Sequence, residues 1–284
     1  MSKNLEQLKR YNFKFKKSLG QNFLFDSNIT NKIVRYSLPL SNTVIEIGPG
    51  AGTLTKSILK LNVNKIILIE KDASLIKLLQ KLKEKHNSIE IYNKDALSLP
   101  IWKLGVGSRE VIANLPYNIS TKILIYLLKN SCQFTKLTMM FQKEVANRII
   151  AKPGTKNYGR LSVISQLKTK VKILFDIPNT AFFPKPKIQS SLVQFIPYDN
   201  DRYNFSFEKM EQLTRLVFSK KRKMIRTIFK KEGGSSFLNS ISIDPNMRPE
   251  DLNLEDFCKL EFILRKYWFK ISLVFLQNQV NKVA

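Results

Sequence analysis

The sequence predicts an α/β protein, with a doubly wound, mostly parallel sheet of seven strands over 20–198 and a small all-helical domain over 205–284. Three observations predict it. Short apolar runs rich in Ile and Val alternate with helix-period stretches between 44 and 196, the pattern of strands joined by crossover helices. Val44-Ile45-Glu46-Ile47 runs into Gly48-Pro49-Gly50-Ala51-Gly52 and then into the helical pattern of Thr53, Leu54, Thr55, Ile58 and Leu59: a strand, a tight turn and a helix N-terminus. After Pro197 the strand signals stop, and Met210, Leu213, Leu216 and Val217 recur at helical spacing.

The elements follow in order. Residues 1–19 carry Lys3, Lys9, Arg10, Lys14, Lys16 and Lys17 among Tyr11, Phe13 and Phe15, against one acid. Such a basic arm suits either a nucleic-acid surface or a solvated tail. Gly20-Gln21-Asn22-Phe23-Leu24 leads into a helix capped by Asp26 or Ser27, with Ile29, Ile33 and Val34 on one face. Strands are expected at 44–47, 65–69, 89–92, 110–113, 137–141, 171–175 and 192–196. Helices are expected at 53–61, 72–85, 119–130, 142–151 and 161–168. Asp199–Asp201 reads as a linker, Gly233-Gly234-Ser235-Ser236 as a second, and 252–276 as one or two amphipathic helices.

Composition narrows the function classes. Of 284 residues, 43% are hydrophobic, enough for a real core. Lys and Arg number 48 against 22 acids, a net charge of +26 that calls for a polyanion, nucleic acid first. Cys132 and Cys258 are isolated, with neither metal spacing nor a disulfide framework, and point to a reducing, cytoplasmic setting. His86, the only histidine, lacks partners for metal or triad chemistry. The N-terminus is charged rather than secretory, and no apolar run reaches the ~18 residues of a membrane span, so neither a membrane nor a metal is expected.

In a doubly wound sheet the ligand sits outside the carboxyl ends of the strands. The first strand ends in G-x-G-x-G, where a ligand can approach the backbone closely. The second ends in Glu70, placed to accept both hydrogens of a ribose diol, as nicotinamide enzymes also do. The third precedes Asp95, which can accept from an adenine amine. The fourth runs into Asn114-Leu115-Pro116-Tyr117. The glycine spacing resembles the first motif of class I S-adenosylmethionine-dependent methyltransferases. The tetrapeptide resembles the signature of those that methylate exocyclic amines of bases. Such an amine is a poor nucleophile because its lone pair is delocalised. The Asn114 side-chain oxygen and the Leu115 carbonyl can accept its two hydrogens and aim the lone pair at the methyl group. Pro116 fixes the turn, and Tyr117 offers a stacking face to the extruded base.

Further stretches make the resemblance specific. Gln21–Leu24, Asn114–Ser120, Phe141–Arg148, Tyr158–Val163 and Phe182–Ser190 stand in the order found in KsgA-type ribosomal RNA adenine dimethyltransferases, over roughly 16–265. The resemblance implies a Rossmann-like fold, and S-adenosylmethionine held by Asn22, Leu24, Gly48, Gly50, Glu70, Asp95 and Asn114. It implies Phe182 as a second aromatic wall for the base. It implies a substrate too: two adjacent adenosines in the 3'-terminal hairpin of small-subunit rRNA, dimethylated on N6 within a pre-ribosomal 30S-type particle during ribosome biogenesis. A monomer is expected.

Lys220, Lys221, Arg222, Lys223, Arg226, Lys230 and Lys231 place seven cations in twelve residues, with Met224, Ile225, Ile228 and Phe229 as the apolar side of the same expected helix. One side would pack and the other meet phosphate. Lys152, Lys156 and Arg160 are weaker candidates for that surface. Three alternatives stand beside this reading. A sister enzyme of large-subunit rRNA would typically read Asn-Ile-Pro-Tyr. A noncatalytic binding protein would not need the intact acids. A nicotinamide oxidoreductase would need different glycine spacing. The apolar tail 267–284 departs from the family pattern.

Overall fold

A computed structural model describes residues 20–199 and 203–265. The described residues fall into two compact units, 20–147 with 169–199, and 148–168 with 203–265. In the first unit the strands are β1 (Phe23–Leu24), β2 (Thr43–Ile47), β3 (Lys65–Ile69), β4 (Ile89–Tyr92), β5 (Arg109–Ala113), β6 (Lys136–Gln142), β7 (Thr169–Ile177), β8 (Phe182–Phe183) and β9 (Ser190–Pro197). The helices up to β6 are α1 (Ser27–Tyr36), α2 (Thr53–Leu59), α3 (Ala73–Lys83) and α4 (Tyr117–Leu128), followed by α5 (Lys143–Ile149). α6 (Arg160–Lys168), α7 (Phe207–Ser219), α8 (Ile225–Ile228) and α9 (Gly234–Ser240) belong to the second unit, as does helical 254–265.

Seven strands form one sheet in the order β4-β3-β2-β5-β6-β9-β7. β4 through β6 run parallel, and β9 lies antiparallel to both β6 and β7. β2 and β5 are buried along nearly their whole length, because a parallel sheet is covered on both faces. That is why they read as continuous apolar runs. The expected seven strands are all present. A short ladder between β1 and β8 has no counterpart in the sequence reading, because two residues carry no periodicity. Asp26, not Ser27, caps α1, accepting from the N–H groups of Asn28 at 2.8 Å and Ile29 at 3.3 Å.

A buried ion pair closes the amino ends of the central strands. Lys136 on β6 lies 3.5 Å from Glu110 on β5. Its ammonium also donates to the carbonyls of Ser37, at the C-terminus of α1, and Pro39, the latter at 2.6 Å. Glu110 accepts the Ser41 N–H at 2.6 Å. Burial pushes the Glu110 carboxyl up to about 7 against the pull of Lys136.

The second unit departs from the sequence reading in three places. Residues 148–168, which the sequence groups with the sheet, pack with the C-terminal helices: Arg160 pairs with Glu211 on α7, and the Tyr158 ring meets Phe218 edge-on at 6.0 Å. Phe218 in turn stacks on Phe257 at 5.6 Å. Gly233–Ser236 is not a linker: Gly233, at φ +115°, ends one turn, and Gly234 begins α9. Residues 220–231 are not one helix. α7 stops at Ser219, 220–224 form a turn, and only Ile225–Ile228 resume helix. Ile225, Ile228 and Phe229 pack inward as expected, whereas Met224 is exposed. The arm 1–19, residues 200–201 of the expected linker and the tail 267–284 lie outside the described residues. No helix among the described residues is long and apolar enough to cross a membrane.

Candidate functional site

Strand order reverses between β2 and β5: β3 flanks β2 on one side and β5 on the other. A crevice at the carboxyl ends of the strands is expected at such a point. A cavity of about 250 Å³ opens there, and Asn22, Leu24, Gly48, Gly50, Glu70, Asp95 and Asn114 all line it. Register explains the convergence. Ile47 lies opposite Ala113, so Gly48 and Asn114 leave the sheet side by side.

Two glycines need their freedom for different reasons. Gly48 has φ +70°, yet a Cβ there would meet only ordinary contacts, Leu115 at 3.5 Å and the Asn114 carbonyl at 3.6 Å. Gly50 has φ +57°, and a Cβ there would lie 2.7 Å from the Phe23 ring. Phe23 therefore closes over the glycine turn, a role that its place in Gln21–Leu24 does not reveal. The Gly50 N–H donates to Glu70 Oε2 at 3.1 Å, and the Asp72 N–H to Glu70 Oε1 at 2.8 Å. Two backbone donors thus orient the Glu70 carboxylate, while burial raises its pKa. Asp72 accepts from Gln21 Nε2 at 2.8 Å and caps α3 through the Ser74 N–H, tying the β1 segment to the end of β3. Local sequence marks neither Gln21 nor Asp72 as a pair, because they are 51 residues apart.

Asp95 caps a short 3-10 turn through the Leu97 N–H at 3.0 Å. Lys71 meets its other oxygen at 2.9 Å and holds the carboxyl below its usual range. Asn22 donates its side-chain amide to the Gly20 carbonyl at 3.1 Å. Glu46, 1% exposed beneath the glycine turn, accepts the Thr55 hydroxyl at 2.6 Å. Burial pushes its pKa up to about 8, and the nearby Glu70 adds to the rise. A carboxyl raised from 4.5 to about 8 keeps its proton in the folded chain across the window where the unfolded chain loses it. Stability therefore falls as pH rises from about 4.5 to 8. Glu46→Gln is expected to flatten that fall, measured as the difference in Tm between pH 5 and pH 9. An equally steep fall in the variant would assign the trend to other groups, Glu110 among them.

Asn114, Leu115 and Pro116 line the cavity. Among the described residues the Asn114 side chain has no hydrogen-bond partner, and the Leu115 carbonyl accepts no backbone N–H. Tyr117 begins α4 beside the lining residues, with its hydroxyl 2.6 Å from the hydroxyl of Ser190 on β9. Ser190 is the anchor that sequence reasoning missed. Phe182, expected as a second aromatic wall, pairs with the cavity-lining Leu24. It is 4% exposed, off the cavity lining, and packed with Leu24, Ile177 and Ala181, whereas Phe183 is 42% exposed. Successive strand residues face opposite ways, so Phe182 shares the buried face of the ladder with its partner Leu24 while Phe183 points to solvent.

In the second unit Lys220, Arg222, Lys223 and Arg226 are exposed. The Arg226 guanidinium donates to Asn246 Oδ1. Lys221 is half-buried, and its ammonium is held by protein groups.

Comparison with known proteins agrees with this geometry. The model of the family described as ribosomal RNA adenine dimethylase matches residues 12–266. The ribosomal RNA small subunit methyltransferase A of Wolbachia sp. subsp. Drosophila simulans (strain wRi) is 44% identical over 257 residues, spanning 89% of this chain and 94% of its own. That of Paramagnetospirillum magneticum (strain ATCC 700264 / AMB-1) is 40% identical over 258 residues, spanning 90% and 92%. Among solved structures, a dimethyladenosine transferase from Plasmodium falciparum matches with a TM-score of 0.70 at 27% identity, covering 85% of this chain and 96% of that one. The 23S rRNA methyltransferase ErmE shares the fold, with a TM-score of 0.63 at 21% identity over 84% and 97%. With a glycine turn, three acids and an Asn-Leu-Pro-Tyr turn at the switch point of its sheet, and a family match over nearly its whole length, this chain belongs to the ribosomal RNA adenine dimethylase family.

Proposed function

We propose that this chain transfers methyl groups from S-adenosylmethionine to the N6 of two adjacent adenosines in the 3'-terminal hairpin of small-subunit rRNA, giving dimethyladenosines. It would act as a cytoplasmic monomer on a pre-ribosomal 30S-type particle. One observation carries the reading: Asn114 and the Leu115 carbonyl are two unspent acceptors on the wall of the cavity.

The residues present fit the cofactor. Glu70, fixed by the Gly50 and Asp72 N–H groups, keeps lone pairs for a ribose diol. Asp95, held ionised by Lys71, suits an adenine amine. Phe23 and Leu24 supply apolar wall. When bound, S-adenosylmethionine supplies a methyl group already activated on a sulfonium. The chain's own task is to shape the nucleophile. Asn114 Oδ1 and the Leu115 carbonyl accept the two hydrogens of the base amine, drawing the nitrogen towards a tetrahedral form. The lone pair then points away from both acceptors. No strong base is needed, since the proton can leave after the methyl arrives. Tyr117, pinned through Ser190, offers its ring to the extruded base.

The helical unit is assigned the RNA backbone. Arg222 and Lys223 are exposed, and their side chains have no protein partner among the described residues. Arg222→Ala and Lys223→Ala are each expected to reduce the slope of log affinity against log salt by about 0.7, the value for one phosphate of a single strand. A slope unchanged in both would remove this turn from the interface. The reaction itself is tested with labelled S-adenosylmethionine and undermethylated small subunits. Label on two adjacent adenosines near the 3' end is expected, and label on large-subunit rRNA alone would overturn the assignment.

A further inference from the structure

We infer that Lys221 is a latch, not an RNA contact: it fastens loop 152–158 to turn 220–223 so that cations from both segments present one phosphate-binding surface. The inference rests on the helical unit being the RNA interface. All the groups lie within the second unit.

Donor accounting carries it. A lysine ammonium has three donors and no acceptor. Two of those of Lys221 go to the Lys156 carbonyl at 2.8 Å and the Tyr158 carbonyl at 3.2 Å, and the ammonium forms an ion pair with Glu250 Oε2 at 3.0 Å. Two donors are spent on carbonyls, and the charge is already matched by a carboxylate. Lys152, Lys156, Lys220, Arg222 and Lys223 are all exposed and have no side-chain partner among the described residues. Lys221 thus differs in kind from the cations around it.

The loop is gripped from both sides. The Gly154 N–H donates to the Glu250 carbonyl at 2.7 Å, while the Glu250 carboxylate holds Lys221. Tyr158 anchors the far end through its buried ring. Lys152 lies just before Gly154 and Lys156 between Gly154 and Tyr158, and each is held only through its main chain. Lys221 also neutralises Glu250, an acid that would otherwise repel phosphate from the same surface. Without the latch, Lys152 and Lys156 would have to be ordered by the RNA itself, at an entropic cost to binding.

Two measurements on the full chain decide it. The first is trypsin cleavage after Lys156, whose rate tracks opening of the loop. Lys221→Met is expected to speed it about tenfold, and Glu250→Gln, a milder change, about threefold. Unchanged cleavage in both overturns the latch, whatever the RNA results. The second is affinity for a labelled RNA hairpin with two adjacent adenosines in its loop, across a salt series. Lys221→Met should weaken binding about as much as Lys152→Ala with Lys156→Ala, each lowering the slope by about 1.4, or two single-strand contacts. Combining all three substitutions should add less than twofold, because the latch acts only through the loop. Full additivity would make Lys221 a direct contact and overturn the inference. If the unaltered chain binds the hairpin with no salt dependence, the RNA-interface reading fails, and trypsin still judges the latch.

Discussion

Asn114→Ala is expected to lower the rate of methyl transfer by about 10²–10³-fold while S-adenosylhomocysteine binds within about threefold of its usual affinity. The magnitude is that of removing one aligned hydrogen-bonding group from a preorganised site. The split between rate and binding follows from geometry. Glu70, Asp95, Leu24 and the glycine turn also line the cavity and, on the proposed function, would hold the cofactor, so one lost contact is expected to cost little. The amine has only two acceptors on offer, and one of them disappears. The loss should fall on the single-turnover rate, since the interaction matures as the nitrogen pyramidalises. Asn114→Asp is the sharper probe, because it keeps an oxygen acceptor and adds charge. A variant Asn114→Ala that methylates at the original rate would refute the mechanism. One that loses cofactor affinity in equal measure would make Asn114 a binding residue only.

Lys136→Met is expected to destabilise the sheet unit by about 3–5 kcal/mol, the usual cost of leaving one partner of a buried ion pair alone. Glu110 would keep the Ser41 N–H but lose its counter-charge, and the Ser37 and Pro39 carbonyls would lose their donor. Glu110 would then stay protonated to higher pH, so the defect should be mild at pH 5 and grow towards pH 9. Replacing both partners, Lys136→Met with Glu110→Leu, should recover most of the loss, since the penalty is a stranded charge rather than a missing attraction. Urea titration at the two pH values measures this. Equal destabilisation at both would show that lost packing, not charge, is responsible. The site lies at the opposite ends of the strands from the cavity, so S-adenosylhomocysteine affinity of the folded fraction should not change.

By itself the sequence determined the sheet, its seven strands and a set of strand-end residues that line one cavity. It could do so because those signals are local. Strand and helix periods lie within a dozen residues, and the functional groups follow strand ends, which the same periods mark. Glu70 and Asn114 were legible for that reason, and so was the family, whose motifs are contiguous. The tertiary structure alone decided which side chains are already spent. Phe182 faces the core and Phe183 does not, because a two-residue strand pairs with a segment about 160 residues earlier. Lys221 looks like its basic neighbours in the sequence, yet its ammonium is consumed by carbonyls and a carboxylate from distant segments. Tyr117 acquires an anchor in Ser190, and Gly50 a ceiling in Phe23, only through folding. A hydrogen-bonding group has few bonds to give, and only the arrangement of the whole chain shows where they have gone.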